Sequence, residues 1–253
     1  MVDDSGYLDE VFCSIQGEGE YLGYRQIFVR TAGCGRGCVY CDTRGASEVS
    51  GSYSVFFEQG SEQFDNPAEP GRVARLITDR LLHRYRPVHS VSLTGGEPLE
   101  QPEFVLSLAG ELKRSDLPIY LETSGLDYEA VRQLKPVLDI VSLDIKQPAL
   151  CGGSGEFFSI YERVLRELRG IELSCKIVLC GGFSMEEFTE SVITVSRVDR
   201  SIPLVIQPAS PPEMRGRYRV PEISSLMDCY TLASDHLNTV RIIPQCHKLL
   251  GIR

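Results

Sequence analysis

The chain has no tryptophan, no long apolar run and no surplus of basic charge, and each absence narrows what its 253 residues can be. The longest uncharged apolar runs, such as Val88 to Leu93 with its internal His89 and Ser90, fall far short of the roughly 18 apolar residues that cross a bilayer. The sequence therefore predicts no membrane partner. The amino-terminal stretch MVDDSGYLDEVF carries acids where a secretory signal carries a basic region and then an apolar one, so a cytoplasmic location is expected. With 26 Lys and Arg against 35 Asp and Glu the net charge is −9, which argues against a nucleic-acid or anionic-lipid footprint and leaves small molecules as the expected partners. The remaining composition, 42% hydrophobic and 24% charged, is that of a soluble globular chain long enough for one large core or two small ones.

What is present is more specific. Seven short β-branched runs read as buried strands: Gln26 to Arg30, Ser90 to Leu93, Pro118 to Glu122, Asp139 to Asp144, Ser174 to Cys180, Pro203 to Gln207 and Thr239 to Pro244. Helical period separates them. Val73, Leu76, Ile77 and Leu81 share one face, as do Phe157, Tyr161, Val164, Leu165 and Leu168. Further helices are expected from Pro102 to Arg114 and from Asp127 to Leu134; Ser184 with Glu187 fits a capping box, and Pro221 suits a first helical turn. Strand and helix alternating about six times imply right-handed crossovers and a parallel sheet with helices outside. An eight-fold barrel also needs about 250 residues, but six helix slots favour an α/β partial (β/α)6 barrel with an extra carboxy-terminal strand and tail. No linker or repeat divides the chain, so residues 1–253 read as a single domain with a long insertion at 44–69. That insertion reads as a lid, an oligomer contact or a tolerated surface loop; alternation of Tyr53, Val55 and Phe57 allows a short hairpin within it.

Nine cysteines are an odd number in a chain expected to be cytoplasmic, which points to thiols or metal ligation rather than disulfides. Three of them, Cys34, Cys38 and Cys41, form a C-x3-C-x2-C triplet directly after the first of these strands. Three thiolates can converge on one soft metal centre. A structural zinc site wants four ligands, and no second pair follows at the usual distance, whereas a [4Fe–4S] cube on three cysteines keeps one iron open. A zinc knuckle or unlinked buried cysteines is the alternative. Cys13, Cys151, Cys175, Cys180, Cys229 and Cys246 have no ligand spacing and read as small buried hydrophobes, and His83, His89 and His236 as surface or structural histidines.

The triplet, with the aromatic Tyr40 just before its third cysteine, resembles the signature of the radical S-adenosylmethionine superfamily. Thr94-Gly95-Gly96-Glu97-Pro98 after a strand is similar to that superfamily's GGE motif, and Ser142-Leu143-Asp144-Ile145-Lys146 and Gln207-Pro208-Ala209-Ser210 end two further strands. Glycines permit close backbone approach, and free carbonyls with the Glu97 carboxylate would orient the cofactor's ammonium. Phe12-Cys13-Ser14-Ile15-Gln16-Gly17-Glu18-Gly19, then Cys41-Asp42-Thr43, then Pro244-Gln245-Cys246-His247-Lys248 look like the 7-carboxy-7-deazaguanine synthase family of queuosine and deazapurine synthesis. Activators of glycyl radical enzymes share some of these elements.

This resemblance implies a carbon–nitrogen lyase that contracts the ring of 6-carboxy-5,6,7,8-tetrahydropterin to 7-carboxy-7-deazaguanine with loss of ammonia. The adenosyl radical would take hydrogen from C6 and recover it at the end. Implied cofactors are a [4Fe–4S] cluster on Cys34, Cys38 and Cys41, S-adenosylmethionine, and Mg2+ at Thr43 with substrate carboxylate and waters completing its shell. Implied S-adenosylmethionine contacts are Tyr40, Cys41, Asp42, Gly95, Gly96, Glu97, Ser142, Leu143, Asp144, Lys146, Gln207, Pro208, Ala209 and Ser210. Implied pterin contacts are Ile15, Gln16, Gly17, Glu18, Arg30, Thr94, His247 and Arg253, since a flat polar ring needs bidentate donors and acceptors and a cation for its carboxylate. An electron donor such as flavodoxin or ferredoxin and a homodimeric state are implied partners. Bland alternatives stand beside these: an exposed turn acid for Glu18, a surface charge for Arg30, a cap or turn hydroxyl for Thr43, a solvated pair for Asp144 and Lys146. The six residues after His247 can extend about 20 Å, enough to turn back across the barrel mouth, with Leu249, Leu250 and Ile252 as an apolar anchor and the Arg253 carboxylate beside the pterin; a frayed end is the alternative.

Overall fold

Ten strands form one continuous sheet in the computed structural model, which describes residues 4–210 and 219–253. Of the acidic amino-terminal stretch, Met1 to Asp3 lie outside the described residues. The strands are β1 Leu8–Ile15, β2 Arg25–Thr31, β3 Ser52–Phe57, β4 Gly60–Asp65, β5 Ser90–Gly95, β6 Ile119–Thr123, β7 Ile140–Asp144, β8 Glu172–Leu179, β9 Leu204–Pro208 and β10 Val240–Ile242. Their order is β10-β9-β8-β7-β6-β5-β2-β1-β3-β4. From β2 through β10 every pairing on this path is parallel. All seven strands read from the sequence are present within two residues of their expected bounds. Six of them, β2 and β5 to β9, make the partial barrel, and β10 is the extra strand.

β1 is new. It lies antiparallel to β2, and its sequence LDEVFCSI hides it because Asp9 and Glu10 interrupt the apolar run. The 44–69 stretch is likewise part of the sheet: β3 pairs parallel with β1 and antiparallel with β4. Tyr53 and Val55 point into the core, as their alternation predicts. The Asn66 side chain pins the hairpin to β1, accepting from the Leu8 amide at 3.1 Å and donating to the Leu8 carbonyl at 2.7 Å.

Helices cover the outer face. The helical stretch 70–85, interrupted by a π segment at Ile77–Leu82, buries Val73, Leu76, Ile77 and Leu81 as expected. Pro102–Leu112 opens on its proline, and Tyr128–Leu134 is capped by the Asp127 side chain accepting from the Ala130 amide at 3.0 Å. Glu156–Glu167 packs through Tyr161, Val164 and Leu165. Ser184 caps Met185–Val198, but only half a capping box forms: the Glu187 carboxylate turns away to accept from the Ala149 amide. Pro221 stands two residues before Ile223–His236 and so precedes the first helical turn it was expected to occupy.

Strand alternation then sorts the side chains. Ile27, Val29, Val91, Leu93, Leu121, Val141, Leu143, Ile177 and Ile206 face the helices and make the main core. Their neighbours Arg30, Thr94, Glu122, Ser142, Asp144, Lys176 and Gln207 face the opposite way, into a cavity. The sheet curls far enough for its two halves to meet. The 16–24 connection after β1 puts Glu18 on Lys176 of β8, the Tyr21 hydroxyl on Glu172 of β8 and Glu20 on Arg241 of β10. In a flat sheet β2 and β8 would stand four strand spacings, roughly 19 Å, apart. Tyr21 plugs the lower end, with its ring against His89 and Tyr120.

Leu143 was expected at the cofactor and is instead fully buried on the helix side. Leu143→Ala should therefore cost about 2–5 kcal/mol of unfolding free energy in denaturant titration, while the volume-conserving Leu143→Met costs less than about 1.5 kcal/mol.

Candidate active site

The cavity, about 510 Å3, opens at the carboxy-terminal ends of the parallel strands, where barrels of this class gather their polar groups. Its upper wall is the loop that follows β2. Cys34, Cys38 and Cys41 all line it, together with Tyr40, Asp42 and Thr43. The loop is held from behind: Val39 donates to the Leu150 carbonyl at 3.0 Å, and Cys38, Tyr40, Cys151, Cys180 and Ala209 form a small apolar cluster. Cys151 is buried, as expected, but not remote: Tyr40 Oη lies 3.4 Å from its Sγ, and Cys38 is within hydrogen-bonding reach. Among the described residues only Glu18, Asp42 and His247 bring three ligand atoms within 4.8 Å of one another. The three thiols of the triplet do not all lie that close to one another.

The glycine pair locks that loop in place. Gly95 sits at φ +128°, a conformation L side chains rarely adopt, and a Cβ on Gly96 would overlap the Gly33 carbonyl oxygen. Gly96 donates to the Thr31 carbonyl and Glu97 to the Gly33 carbonyl, each at 2.9 Å. The close approach is thus to the cysteine loop. Glu97 also departs from expectation: its carboxylate accepts from Thr123 Oγ1 at 2.5 Å, Ser124 Oγ at 2.5 Å, the Ser124 amide at 2.9 Å and the Leu99 amide at 3.2 Å. Those four donors take its lone pairs, so it binds β6 to the glycine turn instead of offering the carboxylate to a cofactor ammonium.

Below the cysteines the inner face is charged. Lys176 Nζ lies 2.5 Å from Glu18 and 3.6 Å from Asp144, and Lys146 Nζ lies 2.8 Å from Asp144. The Asp144–Lys146 pair exists but is part-buried in the cavity rather than fully solvated. Burial, the largest influence on Glu18, pushes its carboxyl up, yet the Lys176 charge and hydrogen bonds from Lys176 and Gln245 outweigh it and hold Glu18 below the usual range. Burial likewise disfavours the Lys176 cation, and the Glu18, Asp144 and Glu122 carboxylates reverse that, holding it well above an ordinary lysine. Gln16 donates to Glu122 at 2.6 Å and to Gln26 at 3.1 Å, and Thr94 donates to the other Glu122 oxygen at 2.8 Å. Asp144 Oδ1 and Gln207 Oε1 are buried acceptors with no partner among the described residues.

The tail closes the site as a helix, not as an extended strap. Cys246–Leu250 is helical, Gly251 ends it, and Cys246 donates to the Gly17 carbonyl at 2.9 Å. Gln245 Nε2 reaches both Glu18 at 3.0 Å and Asp42 at 2.7 Å, while its Oε1 accepts from the Ser210 amide at 3.0 Å. His247 stands between Glu18 and Asp42, at 3.7 and 3.6 Å. Burial pushes Asp42 up, but His247 and Lys248 together hold it far below the usual carboxylate range. With Lys176 and Lys248 balancing Glu18 and Asp42, the trio with His247 is a hydrogen-bonding edge more than a cation site. Leu249 and Leu250 are 76% and 62% exposed, so they do not anchor the tail; the polar contacts do.

Every expected site residue lines the cavity except four. Leu143 faces the helices, Ala209 packs behind Cys38 and Tyr40, and Pro208 and Ser210 lie outside the lining, Ser210 holding Gln245. Strand parity forces the first: a strand cannot turn Ser142, Leu143 and Asp144 all to one side. Lys176, Glu122 and Gln245 were missed. The signal for the first two was a lone charge inside an apolar strand, at the parity that faces the lumen.

With this geometry in place the relatives can be compared. The radical SAM superfamily profile matches residues 28–192. The chain is 33% identical to the 7-carboxy-7-deazaguanine synthase of Geobacter sulfurreducens over 248 residues, covering 96% of each chain, and 34% identical to that of Archaeoglobus fulgidus over 252 residues, covering 97% of this chain and 98% of the relative. It belongs to the 7-carboxy-7-deazaguanine synthase family of radical SAM proteins. Among solved structures it is similar to QueE from Escherichia coli, with TM-score 0.58, 17% identity and coverage of 96% and 95% of the two chains. A domain of a pyruvate-formate lyase-activating enzyme from Bacteroides vulgatus gives TM-score 0.50 at 17% identity, covering 60% of this chain and 98% of that one. These likenesses show a shared fold, and it is the full-length sequence relatives that place the chain in the synthase family.

Two outcomes test the geometry. Gly96→Ala should push the Gly33 segment away and cut iron incorporation without unfolding the sheet, read as iron per chain beside a circular-dichroism melt. Lys176→Met leaves Glu18 buried without its cation and should cost about 3–5 kcal/mol at neutral pH. Because Glu18 is held below its unfolded value, the stability it contributes is present above the ordinary glutamate range and is lost as pH falls from there through its lowered folded-state value. The difference between wild type and Lys176→Met should therefore shrink below about pH 4; a pH-independent difference would refute the pairing.

Proposed function

We propose that the chain is a 7-carboxy-7-deazaguanine synthase, contracting the ring of 6-carboxy-5,6,7,8-tetrahydropterin to 7-carboxy-7-deazaguanine with loss of ammonia. The observation that carries this reading is the meeting, in one cavity, of the cysteine triplet with Gln16, Glu18, Arg30 and His247, in a chain whose relatives match over almost its whole length. The cavity volume lies in the range of small-molecule sites. A glycyl radical activator would have to admit a loop of another protein, and here the 16–24 segment and the tail cover that approach.

The residues fit the groups this chemistry needs. Cys34, Cys38 and Cys41, which line one wall of the cavity, would hold a [4Fe–4S] cluster with one iron open. The orphaned Asp144 Oδ1 and Gln207 Oε1 are acceptors suited to donors of S-adenosylmethionine, and Tyr40, Ser142 and the Gly95–Gly96 backbone line the same part of the cavity. Together these groups supply reductive cleavage of a sulfonium, which delivers a carbon radical able to take a hydrogen atom. The chain's own residues do the rest. Glu18, kept ionised, accepts from the pterin's ring N–H and amino groups; Gln16 and His247 fix its edges; Arg30 meets its carboxylate. Thr43 would offer one hydroxyl to Mg2+, a hard ion that needs further oxygen ligands from substrate and water. The same reading takes flavodoxin or ferredoxin as reductant, a homodimer as assembly and the cytoplasm as location; no helix among the described residues is long and apolar enough to cross a membrane.

The test is to incubate the reconstituted, reduced enzyme with S-adenosylmethionine, Mg2+ and the carboxylated tetrahydropterin, and to measure 7-carboxy-7-deazaguanine and ammonia in equal amounts. A colourless protein that purifies anaerobically with zinc would sink the proposal. Cys34→Ala, Cys38→Ala and Cys41→Ala should each abolish cluster assembly, while Cys151→Ala keeps wild-type iron content. Thr43→Ala should weaken the Mg2+ response and leave uncoupled cofactor cleavage measurable; an unchanged Mg2+ titration removes Thr43 from the site.

A further inference from the structure

The β3–β4 hairpin, which fills the long 44–69 insertion, touches Arg253. Three adjacent strands, β2, β1 and β3, pair Arg30 with Glu10 and Glu10 with Ser54, so Phe56, two residues beyond Ser54, lies on the same face. Glu10 is used at both ends: Oε1 accepts from Arg30 Nε at 2.9 Å, and Oε2 pairs with the Arg253 guanidinium. That guanidinium also sits over the Phe56 ring, 3.6 Å from its centroid. The Glu10 side chain is only 13% exposed. Gly251, at φ +62°, turns the chain out of its last helix, and Ile252 donates back to the His247 carbonyl at 3.0 Å. Arg253 is thereby delivered to Phe56 and Glu10 while still lining the cavity.

We propose that the hairpin, through Phe56, and β1, through Glu10, form a receptor for Arg253 that latches the carboxy-terminal tail over the substrate half of the cavity, with Glu10 setting the spacing between Arg253 and Arg30. Its kinetic arm rests on the function proposed above; the latch itself does not. Two guanidinium groups sharing one carboxylate hold each other at a fixed separation, so the cation that receives the substrate carboxylate is positioned by the same anion that holds the chain end. Phe56 and Glu10 are positioning residues, since neither is required to touch the reacting atoms.

The test uses the cluster-loaded enzyme with three variants of the half-buried aromatic partner, Phe56→Ala, Phe56→Leu and Phe56→Trp. Carboxypeptidase B, which removes carboxy-terminal arginine, is followed by intact mass. Release of Arg253 should be about tenfold faster in the Ala and Leu variants, as expected for losing one partly desolvated cation–π contact, and restored to wild-type slowness in the Trp variant. The pterin KM should rise in step with release, with kcat at saturation and iron content unchanged. Equal release of Arg253 from wild type and Phe56→Ala overturns the latch, and so does a Leu variant that behaves like wild type, because packing bulk alone would then suffice. If wild type turns over no pterin, the proposed function fails, and the carboxypeptidase comparison still decides the latch.

Discussion

The constraint on which everything else depends is that a curled, unclosed parallel sheet has an inner face that must be polar enough to work and dry enough to hold its shape. Alternation along the strands separates the two demands. One parity gives Leu, Ile and Val to the helices and carries the stability; the other gives Thr94, Glu122, Ser142, Asp144, Lys176 and Gln207 to the lumen. Buried carboxylates are tolerable there because cations or amide donors stand beside them: Lys176 with Glu18, Lys146 with Asp144, Lys248 with Asp42, and Gln16 with Glu122. Charge balance inside the lumen is thus part of the fold as much as part of the site.

Closure of the open side follows from the same constraint. The gap in the sheet is bridged by the 16–24 segment from one side and by the tail from the other, and the two are joined by the Cys246 amide on the Gly17 carbonyl and by Gln245 on Glu18. The upper wall is fixed separately. Glu97 ties the end of β6 to the glycine turn, and the glycine turn holds the start of the cysteine loop. Two braced pieces therefore face each other across the cavity, one bearing the thiols and the other Glu18, Gln245 and His247.

Much of this was legible in the sequence because long-range order rests here on short-range signals. Each parallel strand is a β-branched run between turn residues, and C-x3-C-x2-C has few physical readings, so the strands and the candidate ligands stand out together. The illegible parts are those where a local pattern is overruled by a distant partner. β1 carries Asp9 and Glu10 near its start, which reads as surface until the pairing of Glu10 with Arg30 and Arg253 is known. Leu143 sat inside a motif that reads as functional, but parity sends it outward. Glu97 looked free, and four donors from β6 and its own turn claim it. Leu249 and Leu250 looked like an anchor, although a five-residue helix turns both to solvent and leaves Gln245 to hold the tail.

The bridging of the gap by segments from opposite ends of the chain has a consequence for biosynthesis. A nascent chain emerges from the ribosome amino-terminus first and folds in that order, so the cysteine loop and most of the sheet are available long before residues 241–253 appear. Arg241, Gln245, His247 and Arg253 are the pieces that complete the open side of the cavity. Until they are made, the cysteine loop faces a cavity whose side is unfinished. Residues 241–253 are thus the pieces that turn an open trough into an enclosed chamber.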